Sequence, residues 1–438
     1  MDTSLQSVAA RLKPLLTPPH AVRGAKLYAA STLVAAIGRG LWLPFSLLYF
    51  HLVVGLPLPL VGSGLTAAGI FGLLIAPAAG SLVDRFGARL LFVISFAMLG
   101  GGSLVYLVAH SFLLFLVGAM LISGSYALSN PASTTFIADI FPLEDRDWWF
   151  GFNRSAMNLG LSIGVLLAGW VASIGGTASY TWLLLSSASG YLLTGALVLA
   201  IPVQRHVLNA VEHIEERVSY LTVLRDLPFL SFIVTQAILF LNYAVLEVAL
   251  SPFLVDNLHA PAWEFSLLFT LNTIMVVVLQ VPLMHVLTRF RRTRGIVAGG
   301  LSYAFSYLLF ASVLLVPQVA QLPVLVVSMI IYTLAEMFLS PASSSLGLAL
   351  APERARGRYM AIFGLCGSLA FTLAPVTFTF LLTFNTTFFW IFLIVLMVLA
   401  SLCVVLLERW LPVHTLRAAQ KEIVVEESIS TIENIFNE

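Results

Sequence analysis

Twelve times in 438 residues the chain holds an apolar character for about 20 residues or more, and each time a short polar break interrupts it. The runs cover 27–54, 60–83, 88–109, 112–141, 149–174, 180–202, 228–256, 263–288, 295–316, 323–349, 359–383 and 387–407. About 20 mostly apolar residues in a helix span the hydrocarbon core of a bilayer. The expected fold is therefore an all-α polytopic membrane protein with twelve transmembrane helices. Composition points the same way, with 59% hydrophobic and 10% charged residues. A soluble domain is nearer half apolar and a quarter charged.

The basic residues orient these runs. Of the 22 Lys and Arg residues, all but Arg39 and Arg154 fall before the first run, after the last, or within two residues of every second break. The alternate breaks contain none. Lys and Arg concentrate in cytoplasmic loops, so both termini are expected in the cytoplasm and the number of spans must be even. A multi-pass protein of the plasma membrane is expected. Residues 1–26 lack an apolar core followed by a small-residue cleavage site. Leu5, Val8, Leu12 and Leu15 instead recur at helical spacing, which suits a helix lying on the membrane surface. Neither the two cysteines nor the scattered histidines form a metal or disulfide pattern.

The longest break, 203–227, carries Val207, Val211, Ile214, Val218 and Leu221 at helical spacing among charges. It reads as an amphipathic cytoplasmic linker. The division is then a cytoplasmic segment 1–26, a six-helix half 27–202, the linker 203–227, a second six-helix half 228–410 and a tail 411–438. The halves share short sequences in matching places. Pro131-Ala132-Ser133 of the fourth run recurs as Pro341-Ala342-Ser343 of the tenth, and at the same offset Arg146 falls on Arg356.

The break between the second and third runs reads Gly80-Ser-Leu-Val-Asp84-Arg85-Phe-Gly87-Ala88-Arg89. It resembles the signature of the major facilitator superfamily, roughly G-x-L-x-D-R-x-G-R-K/R, in Gly80, Asp84, Arg85 and Gly87. It departs from that pattern at Ala88, where the family has a basic residue. The resemblance implies two parallel six-helix halves with a substrate site near the midplane between them. It also implies a cytoplasmic latch drawn from Asp84, Arg85, Arg89, Asp139 and Arg146. In that latch Asp84 faces the start of the eleventh helix, and Arg85 or Arg89 pairs with Asp139. A carboxylate beside a helix N-terminus is favoured by the macrodipole.

Ionisable groups inside spans are rare and mark pathways or proton relays. Glu336 lies near the middle of the tenth run and is the first candidate for proton coupling. Glu247, in the outer half of the seventh, and Asp139, ending the fourth, are the others. A carboxyl hydrated in one state and enclosed in the other exchanges a proton between them. Arg39, near the middle of the first run, fits three roles: anchoring an anionic substrate, pairing with a buried carboxylate, or repelling protons.

In the fifth run, Gly160-x-x-x-Gly164 with Gly169 makes a small-residue face for close helix contact. It resembles the G-x-x-x-G-P-x-x-G-G motif of the drug:proton antiporter group, with Val165 in place of the proline and Ala168 in place of a glycine. Arg154 and Asn158 just before it also resemble that group. The substrate cavity is expected to include Arg39, Trp42, Phe45, Asn242, Tyr243, Tyr332 and Met337, because aromatic and Met surfaces repack around varied ligands and attract cations.

The resemblance thus implies a secondary transporter, a proton-coupled exporter of lipophilic small molecules, cations among them. Its expected partners are substrate, protons and membrane lipid, with no nucleic acid, and a monomer is the implied state. The proton gradient is the expected energy source, with no cofactor and no metal. One alternative is a narrow-specificity transporter of a metabolite, sugar or lysophospholipid. Another, of a different class, is a polytopic membrane enzyme or scaffold. The sequence has no cluster of His, Asp or Glu at one interface and no phosphate-binding Gly-rich loop followed by Lys and Ser or Thr, and an enzyme is not expected.

Overall fold

The computed structural model describes residues 22–174, 176–202, 223–287, 289–352 and 355–416. The surface helix expected before residue 22, residues 203–222 of the expected linker and the tail from 417 lie outside the described residues.

Among the described residues, twelve helices are long and apolar enough to cross a membrane. They are α1 (Ala25–Val53), α2 (Leu58–Phe86), α3 (Ala88–Leu107), α4 (Phe112–Ile140), α5 (Trp148–Ile174) and α6 (Ala178–Ala200). The rest are α7 (Leu227–Asn257), α8 (Ala262–Gln280), α9 (Arg292–Leu315), α10 (Gln318–Leu350), α11 (Arg356–Phe384) and α12 (Thr386–Leu407). Polar side chains start several of them by accepting from otherwise orphaned backbone N–H groups. Asp226 accepts from the Phe229 N–H at 3.1 Å, and Asn385 from the Phe388 N–H at 2.8 Å. Gly87 ends α2 at φ 89° and ψ 145°, a region essentially open to glycine alone, and its N–H bonds Val83 O at 2.8 Å.

Two spans are not continuous α-helix. In α1 a 3₁₀ turn at Leu43–Phe45 contains Pro44, and a π-turn covers Tyr49–Val53. In α7 one π-turn covers Val245–Ala249 and another Phe253–Asn257, just beyond Pro252. Proline has no N–H to give to the ladder, and π-turns re-aim the side chains that follow, often at functional sites. These helices open the two halves, so matching interruptions at their ends extend the internal repeat seen in the sequence.

The chain forms two compact units. The first contains Met1–His213 together with Leu241–Thr273 and Ser368–Phe389. In it α1 lies against α5 and α6, α3 against α4 and α6, and α2 against α4. At the ends away from the arginine-bearing breaks, segments of the second half also close onto the first. Thr66 of α2 accepts from the Val376 N–H of α11 at 3.2 Å, and Ser266 of α8 donates to Val165 O of α5 at 2.8 Å. The second unit contains Ile214–Phe240, Ile274–Gly367 and Trp390–Glu438. Its centre is the contact of α9 with α10, where Tyr303, Tyr307 and Tyr332 cluster with ring centroids 4.9–6.4 Å apart.

Candidate transport site

Arg39 owes its position to the glycines on either side of it. Gly38 O accepts from the Ser187 hydroxyl of α6 at 2.7 Å. Gly40 faces Gly164 of α5 so closely that an added Cβ would lie 2.3 Å from Leu161 O. With α5 and α6 drawn in on two sides, the guanidinium is directed to α4, where its Cζ lies 5.6 Å from the Tyr126 ring centroid. This is within cation–π range. It borders a cavity of about 110 Å³ walled by Trp42, Phe50, Tyr106, Tyr126 and Tyr191. Arg39 Nε is buried and makes no hydrogen bond among the described residues.

An opposite charge acts on Arg39 from α7. Glu247 sits in the Val245–Ala249 π-turn, and the two charges interact. A buried carboxylate and guanidinium are each costly alone, and each lowers the cost of the other. Around the pair, Trp42 packs on Tyr49 and Tyr106 at 5.3 and 6.0 Å, and Phe45 on Phe265 of α8 at 5.8 Å.

The first unit thus gathers Arg39, Trp42, Phe45, Asn242, Tyr243 and Glu247, with Asn242 fully buried. Tyr332, Glu336 and Met337 belong to the second. There Tyr332 and Met337 are buried, and Glu336 is half-buried and engaged with a partner. Sequence reasoning missed Tyr126 and Tyr191, whose only signal was a tyrosine inside an apolar run.

The signature residues lie on the arginine-rich side. Asp84 and Arg85 are exposed, with Arg85 over the Phe86 ring at 5.3 Å. Gly80 has open space around it. Arg89 donates to Leu199 O at the end of α6. Arg146 donates to Ala138 O at 2.7 Å and Phe141 O at 3.3 Å, holding the end of α4. Both place a cation at a helix C-terminus, where the dipole favours it. Asp139 is half-buried beside the Arg146 contact and has a partner of its own.

The α5 motif is a helix contact. Gly160 meets Ala36, Gly164 meets Ile37 O and Gly40 of α1, and Gly169 meets Ser266 of α8. Arg154 and Asn158 are exposed.

Enclosed opposite charges on two interrupted helices, in a protein of twelve membrane-spanning segments, define a membrane transporter. The chain belongs to the major facilitator superfamily, whose profile matches residues 28–239 and 232–437. Similar proteins include Multidrug resistance protein 2 of Bacillus subtilis (strain 168), 26% identical over 258 residues. That alignment covers 57% of this chain and 63% of the Bacillus protein, just under two thirds of its length. Multidrug resistance protein MdtH of Klebsiella pneumoniae (strain 342) is 26% identical over 327 residues, 70% of this chain and 72% of that protein. Among solved structures, the D-xylose-proton symporter superposes with a TM-score of 0.69 at 18% identity, over 86% of this chain and 96% of that one. At that identity the likeness concerns the fold alone.

Proposed function

We propose that this transporter is a proton-coupled exporter of lipophilic small molecules, cations among them, working by alternating access from the cytoplasmic membrane face. The observation that carries the reading is the placement of two opposite charges, Arg39 and Glu247, on the two interrupted helices α1 and α7. Such helices line the transport sites of many secondary transporters. Relatives named as multidrug resistance proteins support export, and the aromatic wall beside Arg39 suits varied apolar ligands. The contacts of α2 with α11 and of α5 with α8 are those that must part for release on the arginine-free side. In this cycle Glu336 carries the proton exchanged for substrate, and Glu247 exchanges Arg39 for water or ligand as its surroundings open. The arginine-bearing breaks face the cytoplasm, the chain acts as a monomer, and the proton gradient is the energy source.

The test is uptake of lipophilic cations into proteoliposomes with an imposed pH gradient. Wild type should accumulate substrate only with the gradient, and Glu336→Gln should lose that dependence. Gradient-driven transport by Glu336→Gln equal to wild type removes the proton role from Glu336. No transport of any lipophilic cation, with transport of one sugar or metabolite, favours the narrow-specificity reading instead.

A further inference from the structure

On the arginine-rich side of the second unit, the start of α9 and the end of α12 diverge around a groove of about 670 Å³. Deeper in, the two helices close together. A Cβ at Gly300 of α9 would lie 2.2 Å from Ser401 Oγ of α12. From Arg294 to Gly300 the helix rises about 9 Å at 1.5 Å per residue, so the groove has a charged mouth and a short apolar shaft. The shaft is lined by Val297, Ala298, Leu301 and Val405, of which Leu301 is 48% and Val405 46% exposed.

The mouth carries three guanidinium groups, Arg291, Arg294 and Arg409, against one carboxylate, Glu408. That carboxylate is already engaged. Arg291 pairs with Glu408 at 2.5 Å, and the buried Thr293 hydroxyl donates to its other oxygen at 2.6 Å. Burial pulls the Glu408 carboxyl up, but the bonds from Thr293 and Arg291, with the charges of Arg291 and Arg294, outweigh it and hold it below its usual range. Arg294 and Arg409 are exposed and donate no side-chain hydrogen bond among the described residues. Two positive charges are thus left over at the mouth. They lie beside the N-terminus of α9, where Arg291 supplies no side-chain cap and the helix dipole adds positive potential.

A free anion would use the mouth and leave the shaft unexplained, whereas a neutral lipid would use the shaft and leave the charges unexplained. We propose that the groove between α9 and α12 is a binding site for one anionic phospholipid, with its phosphate held by Arg294 and Arg409 and the top of an acyl chain along Leu301 and Val405. Basic pockets between membrane helices are suited to anionic headgroups. Trp410, next in the chain and largely exposed, is of the type that anchors at the interface.

The experiment is native mass spectrometry of the full chain, delipidated in neutral detergent and titrated with phosphatidylglycerol or with phosphatidylcholine of the same acyl chains. Phosphatidylglycerol should bind one site more tightly. Each arginine near the surface contributes about fivefold, so Arg294→Gln with Arg409→Gln should weaken it about 30-fold. A charge-matched pair, Arg23→Gln with Arg154→Gln, removes two exposed arginines outside the groove and should change affinity less than about twofold. If the double variant does not fold, the single substitutions should each weaken binding about fivefold. Equal affinity for the two lipids overturns the proposal, as does an equal loss in the two arginine pairs. Competition by glycerol 3-phosphate as effective as that of the lipid would show a site for free anions.

Discussion

Alanine in place of Gly164 should drive α1 and α5 apart, and no side-chain change on α1 should repair it. A Cβ at Gly164 lies 2.4 Å from Ile37 O and 2.8 Å from Gly40 Cα. Ordinary van der Waals contact begins at about 3.4 Å, so one helix must move by about 1 Å, and the obstacles are backbone. Overpacking of this kind costs about 1–3 kcal/mol. Gly160 differs. Its Cβ would meet Ala36 Cβ at 2.5 Å, and the next atoms, Leu33 O and Ile37 N, lie at 3.1 and 3.2 Å. Removing the Ala36 methyl should therefore relieve most of the strain of Gly160→Ala and none of that of Gly164→Ala. Since Ala36→Gly alone costs about 1 kcal/mol in helix propensity, the comparison is a double-mutant cycle. We expect a favourable coupling of about 1–2 kcal/mol between Gly160→Ala and Ala36→Gly, and coupling within about 0.5 kcal/mol of zero for Gly164→Ala with Ala36→Gly. The assay is reversible denaturant unfolding in detergent. Gly151→Ala, where no atom lies within 4 Å of the added methyl, is the control and should stabilise by up to about 1 kcal/mol. Wild-type stability in Gly164→Ala, or its rescue by Ala36→Gly, would refute the close-contact reasoning.

The contact of α2 with α11 offers a second check. A Cβ at Gly62 would meet Thr379 Oγ1 at 2.0 Å and Pro375 O at 2.4 Å. Gly62→Ala should thus favour the state in which these ends part, and a cysteine at Thr66 in a cysteine-free background should react with maleimide about tenfold faster. Unchanged reactivity would show that the ends adjust without opening. Acid gives a third check through Glu408. Its folded carboxyl sits below the usual value near 4.3, so the stability it contributes is present above that value and disappears as pH falls through the folded one. Unfolding midpoints of wild type and Glu408→Gln should differ at pH 7 and converge in acid, and a constant difference would show that the carboxylate contributes nothing through its charge.

Run length and the exclusion of charge were enough to read twelve spans, because both follow from one-dimensional physics. An apolar run must match the bilayer thickness, and a charge must stay out of it. The small-residue face of α5 was also legible, since glycine at every fourth position makes a stripe on any helix. Its partners were not, and the fold divides them, giving Gly160 and Gly164 to α1 and Gly169 to α8. The π-turns that place Glu247 and end α1 and α7 left only the weak trace of Pro44 and Pro252, because a π-turn depends on what packs around it. Arg39, Glu247 and Glu336 each stood out as charges lipid should not tolerate. That Arg39 lies within the field of Glu247, with Tyr126 and Tyr191 beside it, was decided by the tertiary structure. Screening and burial act through space, and residues on α1, α4, α6 and α7 become neighbours only when the helices assemble.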